Sequence, residues 1–305
     1  MRKIIDDDLL AFMGEQESQY LIKPSELYEQ VLKRIEHDET TVGLNLPWQK
    51  TNPFIKLRAG ETSLWCGISG HGKSTMLSQI CAWGLQEKWL IASMEMQPEA
   101  TMERMVKQIA GTDNPSSNYL RRVLDWTDNK LWIYDQTDTV KSERILALVR
   151  YAKTLGINHV VIDSLMKCGI GKENLEGQAQ FVDRLCWAAK ANNLHIHLVH
   201  HMRKGESEYK IPGKFDVRGA GEIVDQIDNL FIIHRNKTKE EDTTGKHDDD
   251  YDAYLKCAKQ RHFSWEGLFG FWYDKLSNQY TTKPNHIMTH WLNTDGLQNQ
   301  LAAAK

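Results

Sequence analysis

The chain has 305 residues, 41% of them hydrophobic, and a formal net charge of −3, enough apolar material for one large α/β domain with a short appendage. No apolar run reaches membrane-spanning length, and the opening MRKIIDDDLLAFMGEQ is acidic rather than a basic stretch followed by an apolar one. Composition therefore predicts a soluble, cytoplasmic protein without an export signal. The charge balance gives no global attraction to polyanions, so any grip on nucleic acid must come from locally gathered Lys and Arg.

Residues 1–40 read as an arm: a polar, acidic lead, then LIKPSELYEQVLKRIEHDE, in which Leu27, Val31 and Ile35 recur at helical spacing behind a Pro24-Ser25 start. The stripe packs either on its own domain or on a neighbouring subunit. From residue 41 to about 283 the pattern alternates. Strand-like runs are Ser63–Cys66, Trp89–Met94, Leu131–Tyr134, His159–Ile162, His195–His200, Asn229–His234, Ala253–Ala258 and Gly267–Asp274. Helical stretches fall at 73–87, 98–110, 141–155 and 175–192. Apolar strands separated by such helices predict a mostly parallel sheet covered on both faces, with the last two strands as an antiparallel extension. The charged run Lys237–Asp250 reads as a solvated loop rather than a metal site, and residues 284–305 as a tail. The cysteines Cys66, Cys81, Cys168, Cys186 and Cys257 form no C-x-x-C pair, so buried free thiols are expected.

Chemistry concentrates in GISGHGKST, Gly67 to Thr75, which links a strand to a helix. Gly67, Ser69, Gly70, His71 and Gly72 would cradle phosphates with backbone N–H groups, Lys73 would reach the β- and γ-phosphates, and Ser74, followed by Thr75, would ligate Mg2+. Ninety residues after Lys73 lies a second nucleotide signature: HVVID puts Asp163 at the end of a buried strand, where the carboxylate that holds the magnesium shell belongs. Glu95, in ASMEM, has two readings on spacing alone: a base that polarises the attacking water, or an exposed acid at the helix start marked by Pro98. His200 and His201 end another strand and lead into a basic, glycine-rich loop, a place from which a histidine can sense the γ-phosphate. That loop carries Arg203, Lys204, Lys210, Lys214 and Arg218, suited to a phosphate backbone; a merely solvated loop is the alternative. Lys259 and Arg261, in AKQRHFSWEG, can stabilise phosphoryl-transfer charge in their own site or across a subunit interface, and sequence does not choose.

These motifs, in this order, resemble the RecA-fold helicase domain of the DnaB superfamily, and within it the helicase half of phage primase-helicases and Twinkle. The resemblance runs from about Thr41 to Tyr280 and implies a RecA-like ATPase using ATP and Mg2+. It implies Glu95 as the catalytic base, His201 in VHHMRK as the phosphate sensor, and Arg235 as a contact to the nucleotide base. DVRGAGEIVDQIDNLFIIHRNK would put Arg218 and Gly219 near a central channel, and KQR would make Lys259 and Arg261 a finger acting on ATP held by the adjacent subunit. As implied partners it gives single-stranded DNA, further copies of the chain in a ring such as a hexamer, and a separate primase or polymerase. The implied function is a phage-type replicative helicase. A RecA-type recombinase or mediator, a P-loop small-molecule kinase and a non-unwinding loader share parts of the pattern.

Overall fold

The computed structural model describes residues 22–36, 42–203, 208–262 and 265–293, and the chain divides into two units, Met1–Val42 and Gly43–Lys305. In the first unit a 3-10 turn, Pro24–Leu27, runs into helix α1, Tyr28–Glu36. Proline at the start of the turn loses nothing, because no partner exists there for its missing N–H. Tyr28, Val31 and Ile35 are exposed along this helix.

In the second unit, among the described residues, nine strands form one sheet in the order β3-β2-β4-β5-β1-β6-β7-β8-β9. Strands β1 (Thr62–Gly67), β2 (Trp89–Ser93), β3 (Leu131–Ile133), β4 (His159–Asp163), β5 (His195–His201) and β6 (Asn229–Arg235) run parallel. Strands β7 (Ala253–Gln260), β8 (Gly267–Asp274) and β9 (Gln279–Thr281) extend it antiparallel. Alternation along each central strand splits its side chains between two cores. Leu64, Cys66, Val160, Ile162 and Leu198 join helices α5 (Ser142–Thr154) and α6 (Leu175–Asn192) on one face. Trp65, Val161, Val199 and Phe231 join α2 (Lys73–Trp83), α3 (Pro98–Ala110) and α4 (Ser117–Thr127) on the other.

The sheet is the expected one, with elements that the sequence pattern does not reveal. Helix α4, capped by the Ser116 hydroxyl accepting from the Tyr119 N–H, buries Val123 and packs Tyr119 and Trp126 against the core, while Leu120 and Leu124 are exposed. Helix α7 (Ala220–Gln226) is too short for a periodic signal, as is β9. The first four residues of the charged run wind into α8 (Lys237–Glu240) on an Asn236 cap, and among the described residues no cluster of metal-ligating side chains forms. Residues 284–293 pack onto the core, where His290 bonds the Ala82 carbonyl at 3.1 Å and the Asn293 amide donates to the Ile109 carbonyl at 2.9 Å. All five cysteines are buried and free. Among the described residues, no helix is long and apolar enough to cross a membrane.

Candidate nucleotide site

Parallel strands place their carboxyl ends along one edge, and four of them converge here. Strand β1 ends at Gly67, which pairs with His201 at the end of β5, and Ser93 at the end of β2 pairs with Asp163 at the end of β4. The loop between β1 and α2 turns through Gly70 and Gly72 at φ of 82° and 85°, a left-handed region that glycine enters without strain. A β-carbon at Gly67 would lie 2.5 Å from the Ile233 carbonyl oxygen, so glycine is needed there for close approach as well. Lys73 is buried at the helix start, and its ammonium donates to the Gly67 and Ile68 carbonyls at 3.0 Å each. Burial lowers its pKa, opposed mainly by Asp163.

The Ser74 hydroxyl donates to Asp163 at 2.5 Å. Burial raises the Asp163 pKa, against the pull of the Ser74 hydrogen bond. Two hard oxygen donors side by side at a phosphate loop fit Mg2+, which takes a few protein oxygens and fills its shell with phosphate and water. Glu95, two residues beyond β2, accepts from the Ser164 hydroxyl at 2.7 Å and faces the His201 Nε2 at 3.8 Å, an ion-pair distance rather than a direct hydrogen bond. His201 and the Ser164 hydroxyl hold the Glu95 carboxyl down at about 2, outweighing burial. The geometry sets Glu95 into a constellation with His201, Ser164 and the Lys73 field, rather than leaving it a solvated acid at a helix start.

Beside the loop opens a cavity of about 400 Å³, bounded by Gly70, His71, Arg235, Asn236, Tyr273 and Tyr280 among others. The His71 Nδ1 accepts from the Arg235 backbone N–H at 3.1 Å. Burial, aided by His234, lowers the His71 pKa to about 4, so the neutral ring carries its proton on Nε2, which has no partner. Arg235 pairs with Glu240 at the cavity rim. Ser69 is exposed on the loop, and the Thr75 carbonyl accepts from Ser78 and Gln108 at 2.9 Å each.

The basic loop is clamped to the end of β5. Met202 forms a bridge with Val217, the Arg203 N–H donates to the Asp216 carbonyl at 2.8 Å, and the His200 Nε2 bonds the Arg218 carbonyl at 2.9 Å. His200 thus serves the loop while His201 faces Glu95. Arg203, Lys210 and Lys214 are exposed, Lys204 lies outside the described residues, and Arg218 bonds the Lys172 carbonyl and Glu173 at 3.1 Å each. Gly219, at φ of 67°, starts α7.

Lys259 and Arg261 sit elsewhere. Strand β7 runs antiparallel, so its end lies beside the start of β6: the Arg261 N–H donates to the Asp228 carbonyl, and the Asp228 N–H to that of Thr62. From Thr62 to Gly67 the sheet spans roughly 17 Å at ~3.3 Å per residue, which separates both cations from their own phosphate loop. They close the carboxyl end of α7 instead. Lys259 donates to the Val224 carbonyl at 2.5 Å, and Arg261 donates to those of Asp225, Gln226 and Ile227 at 2.5, 3.0 and 3.2 Å.

Three site residues escape sequence reasoning. Ser164, next to Asp163, orients Glu95; Tyr280 reaches the phosphate loop from β9; and Arg104 of α3 sits half-buried within the electrostatic reach of Asp163, Tyr273 and Tyr280. Tyr280 and Arg104 belong to segments with no motif of their own.

Comparison with known proteins bears on the family and the fold. Residues 49–207 match the AAA domain family AAA_25. A Twinkle homolog protein, chloroplastic/mitochondrial, of Arabidopsis thaliana is 20% identical over 221 residues, 64% of this chain; the match spans 31% of that relative's length. A solved DnaB-like replicative helicase, described with its interactions with primase, superposes at a TM-score of 0.71 with 15% identity, covering 92% of this chain and 73% of that one. A second solved structure, an isolated ATPase domain, superposes at 0.73 with 15% identity, covering 86% of this chain and 99% of that one. The chain therefore belongs to the AAA domain family, and its core has the RecA-like ATPase fold that these solved helicase and ATPase domains share.

Proposed function

We propose that the chain is the motor of an ATP-driven DNA helicase of phage type, which assembles as a ring, a hexamer by resemblance, and moves single-stranded DNA past its basic loops. The observation that carries this reading is the separation of Lys259 and Arg261 from their own phosphate loop. The pocket holds a lysine, a serine and carboxylate pair, a base and a sensor, while the finger motif of the same chain stands at the far end of the sheet. A neighbouring copy supplying Arg261 completes the set.

Within one pocket, Lys73 and the loop N–H groups bind the phosphates, and Ser74 and Asp163 would hold Mg2+, which supplies charge neutralisation at the β- and γ-oxygens. Glu95 orients the attacking water and accepts its proton; His201 reports the γ-phosphate to the loop clamped on β5. The cavity beside His71 and Arg235 takes the base and sugar. Arg203, Lys204, Lys210, Lys214, Arg218 and Gly219 form the DNA-facing segment, and α1 docks its exposed stripe on a neighbouring protomer. A separate primase or polymerase is the expected companion.

The deciding experiment combines ATPase assays with and without a single-stranded oligonucleotide, fork unwinding, and mass measurement with nucleotide bound. DNA-stimulated turnover, strand separation and a ring-sized mass are expected. A monomer that hydrolyses ATP equally fast without DNA would overturn the proposal, and strand exchange without unwinding would move it to the recombinases.

A further inference from the structure

Phe215 is 78% exposed, more than any other large hydrophobic side chain of the described residues. It lies at the crest of a 3-10 turn, Lys214–Asp216, in the loop that follows His201. An exposed phenyl ring on a loosely held loop is commonplace, but this one is anchored. The Asp216 carboxylate accepts from the Gly213 N–H at 2.7 Å, the Arg203 N–H donates to the Asp216 carbonyl at 2.8 Å, and the next residue, Val217, is fully buried in its bridge with Met202. From the other side Lys256 donates to the Pro212 carbonyl at 3.4 Å. The turn is therefore built before any partner arrives, and it presents an apolar ring to water.

Its surroundings indicate the partner. The Lys214 ammonium stands 5.6 Å from the ring centroid, and Arg203 and Lys210 are exposed on the same loop. A ring with one cation beside it, on a loop that exposes two more, suits a ligand with a flat apolar face and an anionic edge, which is a nucleotide of a single strand: the base on the ring, its phosphates on the lysines. A protein partner is a poorer fit, because Lys is depleted at protein–protein interfaces.

We infer that Phe215 is a stacking platform for one base of single-stranded DNA, with Lys214 and Lys210 gripping the flanking phosphates. The inference rests on the DNA-motor reading above and adds what that reading lacks, a contact to the base rather than to the backbone. The turn hangs from the end of β5, tied there by the Met202–Val217 bridge next to His201.

The test measures fluorescence anisotropy of a labelled oligo-dT, and of an oligonucleotide of the same length made of abasic sites, on the full chain with a non-hydrolysable ATP analogue. F215A is expected to weaken oligo-dT binding roughly 5- to 150-fold, the value of one base–aromatic stack, while leaving the abasic strand unchanged. F215W should restore oligo-dT binding, and K210A/K214A should weaken both strands and flatten the salt dependence. Wild-type affinity of F215A for oligo-dT overturns the platform and leaves the backbone grip standing. Equal loss on both strands, together with a smaller assembly mass, makes Phe215 a subunit contact and also overturns it. Failure of the wild-type chain to bind either strand removes the DNA reading itself.

Discussion

Tyr280 stands against Gly72: its hydroxyl lies 3.5 Å from the Gly72 carbonyl, and a β-carbon on Gly72 would come within 2.0 Å of it. The last strand of the sheet thus defines the outer wall of the phosphate loop, and Gly72, at φ of 85°, has both a conformational and a steric reason to be glycine. Gly72→Ala combines left-handed strain of about 1–2 kcal/mol with displacement of Tyr280. Nucleotide affinity is expected to fall at least ~10-fold by calorimetry. The double variant with Tyr280→Ala should recover part of the loss, since the steric half is gone and the backbone half is not.

Lys73→Ala should abolish nucleotide binding, because nothing else in the loop carries a positive side chain to the phosphates. Glu95→Gln should keep binding and lower kcat by about 10²- to 10⁴-fold, the usual worth of a positioned base. Normal turnover by Glu95→Gln would show that the water is oriented from elsewhere.

The ionisation of Glu95 gives a sharper test. With its pKa held at about 2 by His201 and Ser164, the carboxylate is charged throughout the usual assay range, so the wild-type rate should show no acidic limb from Glu95 above roughly pH 4, the ordinary carboxylate range. His201→Ala removes the largest stabiliser of the charged form. The Glu95 pKa then rises and an acidic limb should enter the kcat profile from below. A pH profile identical to wild type would mean that the His201 contact does not govern the base.

Arg261→Ala should bind nucleotide nearly as wild type and lose turnover. Mixed with Lys73→Ala, it should regain part of the activity, because the mixture contains interfaces that pair an intact pocket with an intact finger. Mixing without any gain would place Arg261 in a structural role at the α7 carboxyl end.

At the opposite edge of the sheet, buried histidines form a directed chain. The Trp65 indole donates to the His197 Nδ1 at 3.2 Å, so the His197 Nε2 bears its proton and donates to the His159 Nδ1 at 3.1 Å. The His159 Nε2 then donates to Glu87 at 2.7 Å. Burial lowers the pKa of His159, His195 and His197, that of His195 to about 3. The unfolded chain takes up these protons near ~6.5 while the native chain refuses them. Stability should therefore be flat above that value and fall below it, by up to about 1.4 kcal/mol per pH unit for each histidine. Urea midpoints between pH 7 and 5 measure this, and a midpoint that does not move would mean the cluster accepts protons without opening.

What the sequence makes legible is whatever has a local signature. Gly67–Thr75 and HVVID announce themselves because phosphate chemistry demands fixed spacings, and eight strands stand out because each is a short apolar run between breakers. Glu95 is ambiguous for a physical reason: a carboxylate before a helix looks the same whether it faces solvent or a histidine arriving from β5. Tyr280 and Ser164 act through contacts that sequence distance conceals, 208 residues in the case of Gly72 and Tyr280. Phe215 reads as one more residue of a solvated loop, and only its exposure on an anchored turn distinguishes it.

The glutamines around β9 carry a consequence for how the chain is made. Gln79 of α2 exchanges two hydrogen bonds with the Tyr280 backbone at 2.7 and 3.0 Å, Gln108 donates to the Asn278 carbonyl at 2.9 Å, and the Trp48 indole donates to the Tyr280 carbonyl at 2.7 Å. The Gln79 amide and the Trp48 indole are buried and have no comparable partner until that strand arrives. During translation, then, the segment bearing GISGHGKST leaves the ribosome long before it can settle, and capacity to hold a triphosphate should emerge late, once the stretch around Tyr280 has cleared the exit tunnel.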